Sequence, residues 1–214
     1  MSLLICNGSP RGKNSNSARM ISWFSTEEDT ILYLNKTKQF DSYIDQLSNH
    51  DRMIIVYPLY VDAMPSIDME FFEHLYLNRD KCKGKDFLFI LHCGFPEHNH
   101  LLNMVEYHKT LISRLGGKSV STIMTPGSEG VRLMPDNMNK KRKLGLEVLV
   151  HSFRNNQSLD PQLLTKLAGI RKPSKFRQLM FTTLSKTGVT NLYWNNQLKK
   201  NNVYQDRFAT PYKL

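Results

Sequence analysis

Short apolar runs recur through the first part of the chain: Leu3–Cys6, Thr30–Leu34, Met53–Tyr57 and Phe87–Leu91, with a more polar fifth at Ser119–Met124. The segments between them carry apolar residues at helical spacing instead. Examples are Phe40, Ile44 and Leu47; Ile67, Phe71, Phe72 and Leu75; and Leu101, Val105, Leu111 and Leu115. A strand without a polar face must be covered on both sides, which is the situation of a parallel sheet between two layers of helices. The alternation therefore restricts this part of the chain to an open α/β fold. Such sheets bind ligands outside the carboxyl ends of their strands. The sequence marks those ends with turn residues: Asn7-Gly8-Ser9-Pro10 after the first run, Pro58 after the third and Cys93-Gly94-Phe95-Pro96 after the fourth.

Charge divides the chain as well. Its 29 Lys and Arg residues outnumber 19 Asp and Glu, for a net charge of +10. Residues 1–123 hold 13 basic and 14 acidic residues, and residues 124–214 hold 16 and 5. The resulting reading is a neutral α/β domain, 1–123, followed by a basic helical extension, 124–214, packed on that domain or on a second subunit. A chain of 214 residues buries enough surface to fold without disulfides or a structural metal. Cys6, Cys82 and Cys93 lack the CxxC spacing of a zinc or iron–sulfur site and fit a reducing compartment. The opening apolar stretch is short for a signal peptide, and no run reaches the roughly 18 apolar residues of a membrane span. A cytoplasmic location is expected.

The first loop reads Gly8-Ser9-Pro10-Arg11-Gly12-Lys13-Asn14-Ser15-Asn16-Ser17 and leads into a helix. It is no Walker A loop, because only three residues separate Gly8 from Gly12 and Asn14 follows Lys13, and it contains no GxGxxG. Its hydroxyl and amide side chains at a helix start suit an anion such as a phosphate monoester. Ser9, Ser15 and Ser17 offer hydroxyls, Asn14 and Asn16 amides, and Arg11 or Lys13 a charge. A polar turn that only caps the helix has the same composition.

With these residues the chain resembles the flavodoxin-like NAD(P)H-dependent FMN reductases, whose first loop has the form Gly-Ser-Pro-Arg followed by Ser and Asn. The second loop, Pro58-Leu59-Tyr60-Val61-Asp62-Ala63-Met64-Pro65, is similar to that family's Pro-Leu-Tyr loop. The third, Cys93-Gly94-Phe95-Pro96-Glu97, stands where the family borders the flavin ring. The resemblance covers residues 1–123. It implies a five-stranded parallel sheet in the order 2-1-3-4-5, bound FMN, NAD(P)H as co-substrate, and a small acceptor such as a quinone, flavin, nitro or azo compound. It also implies a homodimer. The alternative is an electron carrier or flavin-binding module without its own NAD(P)H reaction. Because the flavin would carry the chemistry, no side chain is assigned a catalytic role. Tyr60 and Met64 suit ring contact and packing at a sheet edge equally well. Cys93 has no base partner and reads as a small neighbour of the ring rather than a nucleophile. His92, His98 and His100 with Glu97 read as solvated or capping residues in preference to metal ligands.

Beyond residue 124, Thr125–Gly130 reads as a flexible turn. Helices are predicted around Asn137–Phe153, Pro161–Ile170 and Ser174–Lys186. Their basic residues, Lys140, Lys141, Arg142, Lys143, Lys166, Arg171, Lys172, Lys175 and Arg177, fit a solvated face first. An anionic membrane surface, an acidic redox partner and attraction of a phosphorylated cofactor are the sharper readings, and nucleic acid is the least favoured. The tail Asn191–Leu214, with Trp194, Tyr204, Phe208 and Pro211-Tyr212, is too aromatic for a free linker and is expected to dock.

Overall fold

The computed structural model of the chain describes residues 1–36 and 39–210. Pro211 and Tyr212 of the aromatic tail lie outside the described residues. Five parallel strands, β1 (Leu4–Asn7), β2 (Thr30–Tyr33), β3 (Arg52–Pro58), β4 (Asp86–His92) and β5 (Lys118–Thr125), form one sheet in the order β2-β1-β3-β4-β5. This is the expected order. Among the described residues there are eight α-helices: α1 (Asn16–Phe24), α2 (Phe40–Gln46), α3 (Ser66–Leu77), α4 (Leu102–Arg114), α5 (Asp136–Arg154), α6 (Pro161–Ala168), α7 (Lys175–Lys186) and α8 (Leu192–Lys200).

The period of two along each strand sorts its side chains onto two faces. Cys6, Ile55, Tyr57, Phe89 and Leu91 join Phe40 and Ile44 of α2, Phe71 and Leu75 of α3 and Ile112 of α4 in one core. Ile5, Ile54, Val56, Leu88 and Ile90 join Met20, Ile21 and Phe24 of α1 and Leu146, Leu149, Val150 and Phe153 of α5 in the other. The absence of a polar strand face in the sequence is thus the signature of two buried faces.

The chain forms two compact units, Met1–Lys172 and Pro173–Leu214. Residue 123 lies inside β5, and α5 and α6, placed in the extension on the basis of charge, belong to the sheet unit. Leu163, Leu164 and Leu167 of α6 pack at the core that α5 closes. The second unit comprises α7, capped by the Ser174 hydroxyl and ended by Gly188 in the left-handed region, and α8. No helix among the described residues is long and apolar enough to cross a membrane.

Candidate functional site

The carboxyl ends of β1, β3, β4 and β5 surround a cleft of about 250 Å³. The first loop contributes Ser9, Arg11, Ser15 and Asn16, and the second Pro58, Leu59 and Tyr60. His92, Cys93 and Gly94 come from the end of β4, and Ser128 and Glu129 from the loop after β5. A larger groove of about 750 Å³ lies between the outer faces of α3 and α4, lined by Met69, Phe72, Tyr76, Tyr107 and Leu111 among others. It is away from the strand ends and from the polar loops, so the smaller cleft is the site that chemistry selects.

Hydrogen-bond accounting shows what the first loop presents. Asn7, buried at the end of β1, accepts from the Ser9 N–H at 3.0 Å and donates its amide to the Gly12 carbonyl at 3.2 Å. Ser15 caps α1: its hydroxyl donates to the Gly12 carbonyl at 2.6 Å and accepts the Ala18 N–H at 3.0 Å. Asn16 donates to the Glu129 carbonyl at 3.2 Å and accepts the Arg132 N–H at 2.9 Å. The Ser15 hydroxyl, expected to donate to an anion, is thereby committed within the protein, whereas the Asn16 amide spends only one of its two N–H donors. Lys13 lies over the Tyr33 ring at 5.6 Å, and Asn14 is exposed; neither lines the cleft. Ser9 is different. Its oxygen accepts the Arg11 N–H at 3.4 Å, and among the described residues its proton has no acceptor. The backbone N–H groups of Ser15, Asn16 and Ser17 likewise have none. With the exposed Arg11 side chain they form an anion cradle at the positive end of α1.

Asp68, in the first turn of α3, lies beneath this loop. It packs so closely under Gly8 that a Cβ there would overlap its carboxyl. It is fully buried, and both carboxylate oxygens lack a partner. Burial pushes its pKa well above the ordinary carboxylate range. Burial thus favours the uncharged form of the acid beneath the cradle. The sequence reading left this residue out, although Asp68, Phe71, Phe72 and Leu75 are spaced i, i+3, i+4, i+7 on the buried stripe of α3.

The second loop is a tight turn. Tyr60 and Ala63 exchange two backbone hydrogen bonds of 3.1 and 3.0 Å around Val61 and Asp62, whose φ values are 49° and 58°. The turn points Val61 into solvent and leaves Tyr60 half-exposed on the cleft wall, whereas Met64 is buried in the core below. Ring contact therefore remains open to Tyr60, and Met64 serves packing. Asp62 lies 3.4 Å from His100, which stacks on the exposed Phe95 with ring centroids 4.6 Å apart and lies 3.7 Å from Glu97. Val61, Asp62, Ala63, Phe95 and Glu97 belong to the rim, outside the lining of the cleft. His98 Nδ1 is 3.0 Å from the Ala168 carbonyl, and among the described residues no three His, Cys, Asp or Glu side chains are placed to hold a metal.

His92, the last residue of β4, forms the floor. Its Nε2 is 2.8 Å from the Ser17 hydroxyl and its Nδ1 2.9 Å from the Ser128 hydroxyl. Ser128 donates to the Cys93 carbonyl at 2.9 Å. Since a hydroxyl has one proton, Nδ1–H of His92 must donate to Ser128, and Nε2 accepts from Ser17. The Ser17 hydroxyl is therefore spent on the histidine rather than offered to an anion. Burial, helped by the nearby Arg142 charge, lowers the His92 pKa to about 3. Cys93 is buried, donates weakly to the Phe95 carbonyl at 3.6 Å, and has its pKa raised by burial, so it is a thiol and not a thiolate nucleophile.

The loop after β5, read from the sequence as a flexible turn, is tied into the site. Gly127 N–H donates to Phe95, Ser128 N–H to Cys93, and Arg142 to the Pro126 and Gly127 carbonyls. Its Glu129 side chain stands at Gly94, where a Cβ would come within 3.3 Å of the carboxylate. The signal for this loop was its place at the carboxyl end of a fifth parallel strand.

No family model and no curated protein matches the sequence. Solved structures match in fold. An NADPH-quinone reductase from P. pentosaceus is 14% identical with a TM-score of 0.58, the match covering 72% of this chain and 97% of that one. An NADH:FMN oxidoreductase in its apo form is 18% identical with a TM-score of 0.56, covering 81% and 96%. An FMN-dependent NADH-azoreductase from Bacillus anthracis, in complex with FMN, is 15% identical with a TM-score of 0.53, covering 71% and 98%. Together with the sheet order, these likenesses establish a flavodoxin-like fold.

Proposed function

We propose that the chain binds FMN in this cleft and acts as an oxidoreductase, passing hydride from NAD(P)H to a small acceptor such as a quinone, flavin, nitro or azo compound. The observation that carries the reading is the meeting, in one cleft, of an anion cradle with an apolar wall and a glycine-lined edge. The Ser9 hydroxyl, the Arg11 guanidinium and the N–H groups of Ser15, Asn16 and Ser17 would hold the phosphate. The neutral Asp68 leaves that position free of repulsion. Pro58, Leu59 and Tyr60 would lie along the ring. Gly94 would leave room for a flat ring, and the Glu129 carboxylate beside it would offer an acceptor suited to an imide N–H. A bound flavin supplies the hydride and electron chemistry, so the protein's part is to bind, orient and tune. Consistent with that division, neither the neutral His92 nor the protonated Cys93 is set up as acid or nucleophile.

Titration of FMN into the purified protein, followed by flavin fluorescence quenching, tests the binding step. No quenching sinks the reading. Stopped-flow mixing of the flavin-loaded protein with NADH or NADPH tests the reaction: bleaching within seconds supports the enzyme, and bound flavin that stays oxidised identifies an electron carrier instead.

A further inference from the structure

The second compact unit, Pro173–Leu214, has no buried residue among those described. Neither α7 nor α8 has a buried side chain. A helix pair without a core gains almost nothing from apolar burial within itself, and segments of about 40 residues need an external source of stability. Its apolar side chains stand in the open: Phe176 is 74% exposed, Phe181 63% and Phe208 82%, with Leu179, Leu184 and Trp194 also exposed. On α7, Phe176, Leu179, Met180 and Leu184 share one stripe, while Gln178, Thr182 and Ser185 lie opposite.

Charge selects what can cover that stripe. Residues 173–214 contain 7 basic residues and 1 acidic one, and residues 1–172 contain 22 and 18. The first unit and a second copy of the chain both carry net charge of the same sign as the helix pair. A nucleic acid has the opposite sign and no apolar phase to receive Leu179, Met180 and Leu184. An anionic bilayer supplies both negative charge and an apolar layer.

We propose that Pro173–Leu214 is a docking unit for the surface of an anionic lipid bilayer. Phe176, Leu179, Met180, Leu184 and Trp194 enter the boundary between headgroups and acyl chains. Lys175, Arg177, Lys186, Lys199 and Lys200 lie among the headgroups. The contact is peripheral.

Co-sedimentation of the full-length protein with phosphatidylcholine vesicles, with and without phosphatidylglycerol, tests this without any flavin readout. The protein pellets with the anionic vesicles only, and raising salt from about 50 to about 500 mM releases it. Trp194 fluorescence shifts to the blue on binding, while the buried Trp23 contributes a constant background. The exposed-residue variant Phe176→Ser/Leu179→Ser keeps its helical circular dichroism and binds at least about tenfold more weakly. Three results overturn the proposal. These are failure to pellet with anionic vesicles at low salt, vesicle binding unchanged in the double variant, or a dimer that forms without lipid and is dissolved by the same variant. An oligonucleotide that binds the protein and displaces the vesicles would assign the surface to nucleic acid and also overturn it.

Discussion

Val61 carries the chain through a conformation that a β-branched side chain resists, and with 99% exposure it gains no packing in return. The left-handed region costs an L-residue roughly 1–2 kcal/mol, which Asn tolerates better. Val61→Asn is therefore expected to stabilise the protein by about 1 kcal/mol, a rise in Tm of about 2–4 °C. Asp68 gives a pH signature. Above about pH 4 the unfolded chain has released a proton that the folded chain keeps, so stability falls as pH rises until the raised native pKa is reached. Asp68→Asn removes that slope, and urea denaturation across pH would show the variant gaining on wild type toward neutrality; parallel curves would contradict the neutral, buried acid. In the cradle, Ser9→Ala loses one hydrogen bond to a charged phosphate and weakens FMN about tenfold, or about 1.4 kcal/mol. Asn14→Ala, outside the lining, leaves the affinity unchanged in the same titration. Residue types marked the loop as a candidate anion site, but not which donors were already committed: the protons of Ser15 and Ser17 are claimed by Gly12 and His92, and only three-dimensional neighbours reveal that.

At the scale of elements, α5 shows how charge and packing can be confused. Its ends were readable from Pro135 and from the spacing of Leu146, Leu149, Val150 and Phe153, yet its lysines assigned it to an extension. Lys140 and Lys141 occupy the solvent face while the apolar stripe closes the sheet's second core. The end of this helix is anchored by Arg154, which donates to both Asp29 oxygens at 2.6 and 2.7 Å, and by Arg52, which donates to the Phe153 and Arg154 carbonyls. Those carbonyls would otherwise be orphaned at the helix terminus. Burial alone would push the Asp29 carboxyl up, but hydrogen bonds from Arg154, Thr26 and Leu3 outweigh it and hold the group below its usual range. Its contribution is thus complete above about pH 4 and is lost as pH falls through the depressed native value. Asp29→Ala leaves Arg154 without its carboxylate and costs about 3 kcal/mol near neutrality, with the difference from wild type shrinking in acid. Chemical denaturation of both proteins across that range measures it.

For the whole molecule, ligand linkage provides the broadest check on the cleft. FMN that binds only the folded state adds about 2.7 kcal/mol at a hundredfold excess over Kd, so melting temperature must climb with FMN concentration. A melting curve indifferent to FMN contradicts binding in the cleft. The sheet was legible because four runs lacked a polar face and three strand ends bore turn residues, whereas its order followed from the family resemblance carried by the three loops. The second unit was legible only as helices, since its stripe on α7 reads the same whether it faces a core or none.

The hydrogen bonds from Ser17 through His92 and Ser128 to the Cys93 carbonyl all run in one direction. Such a chain is a one-way series that ends on a carbonyl: each donor is already engaged with its neighbour, and the order cannot be reversed because a carbonyl has no proton to give. The floor of the cleft therefore has no proton to lend near neutral pH, and in the proposed reaction the proton for the acceptor would come from outside this series, from water at the open mouth or from another group of the lining. His92 itself would then contribute no inflection to turnover near pH 6.5, because burial lowers its pKa to about 3.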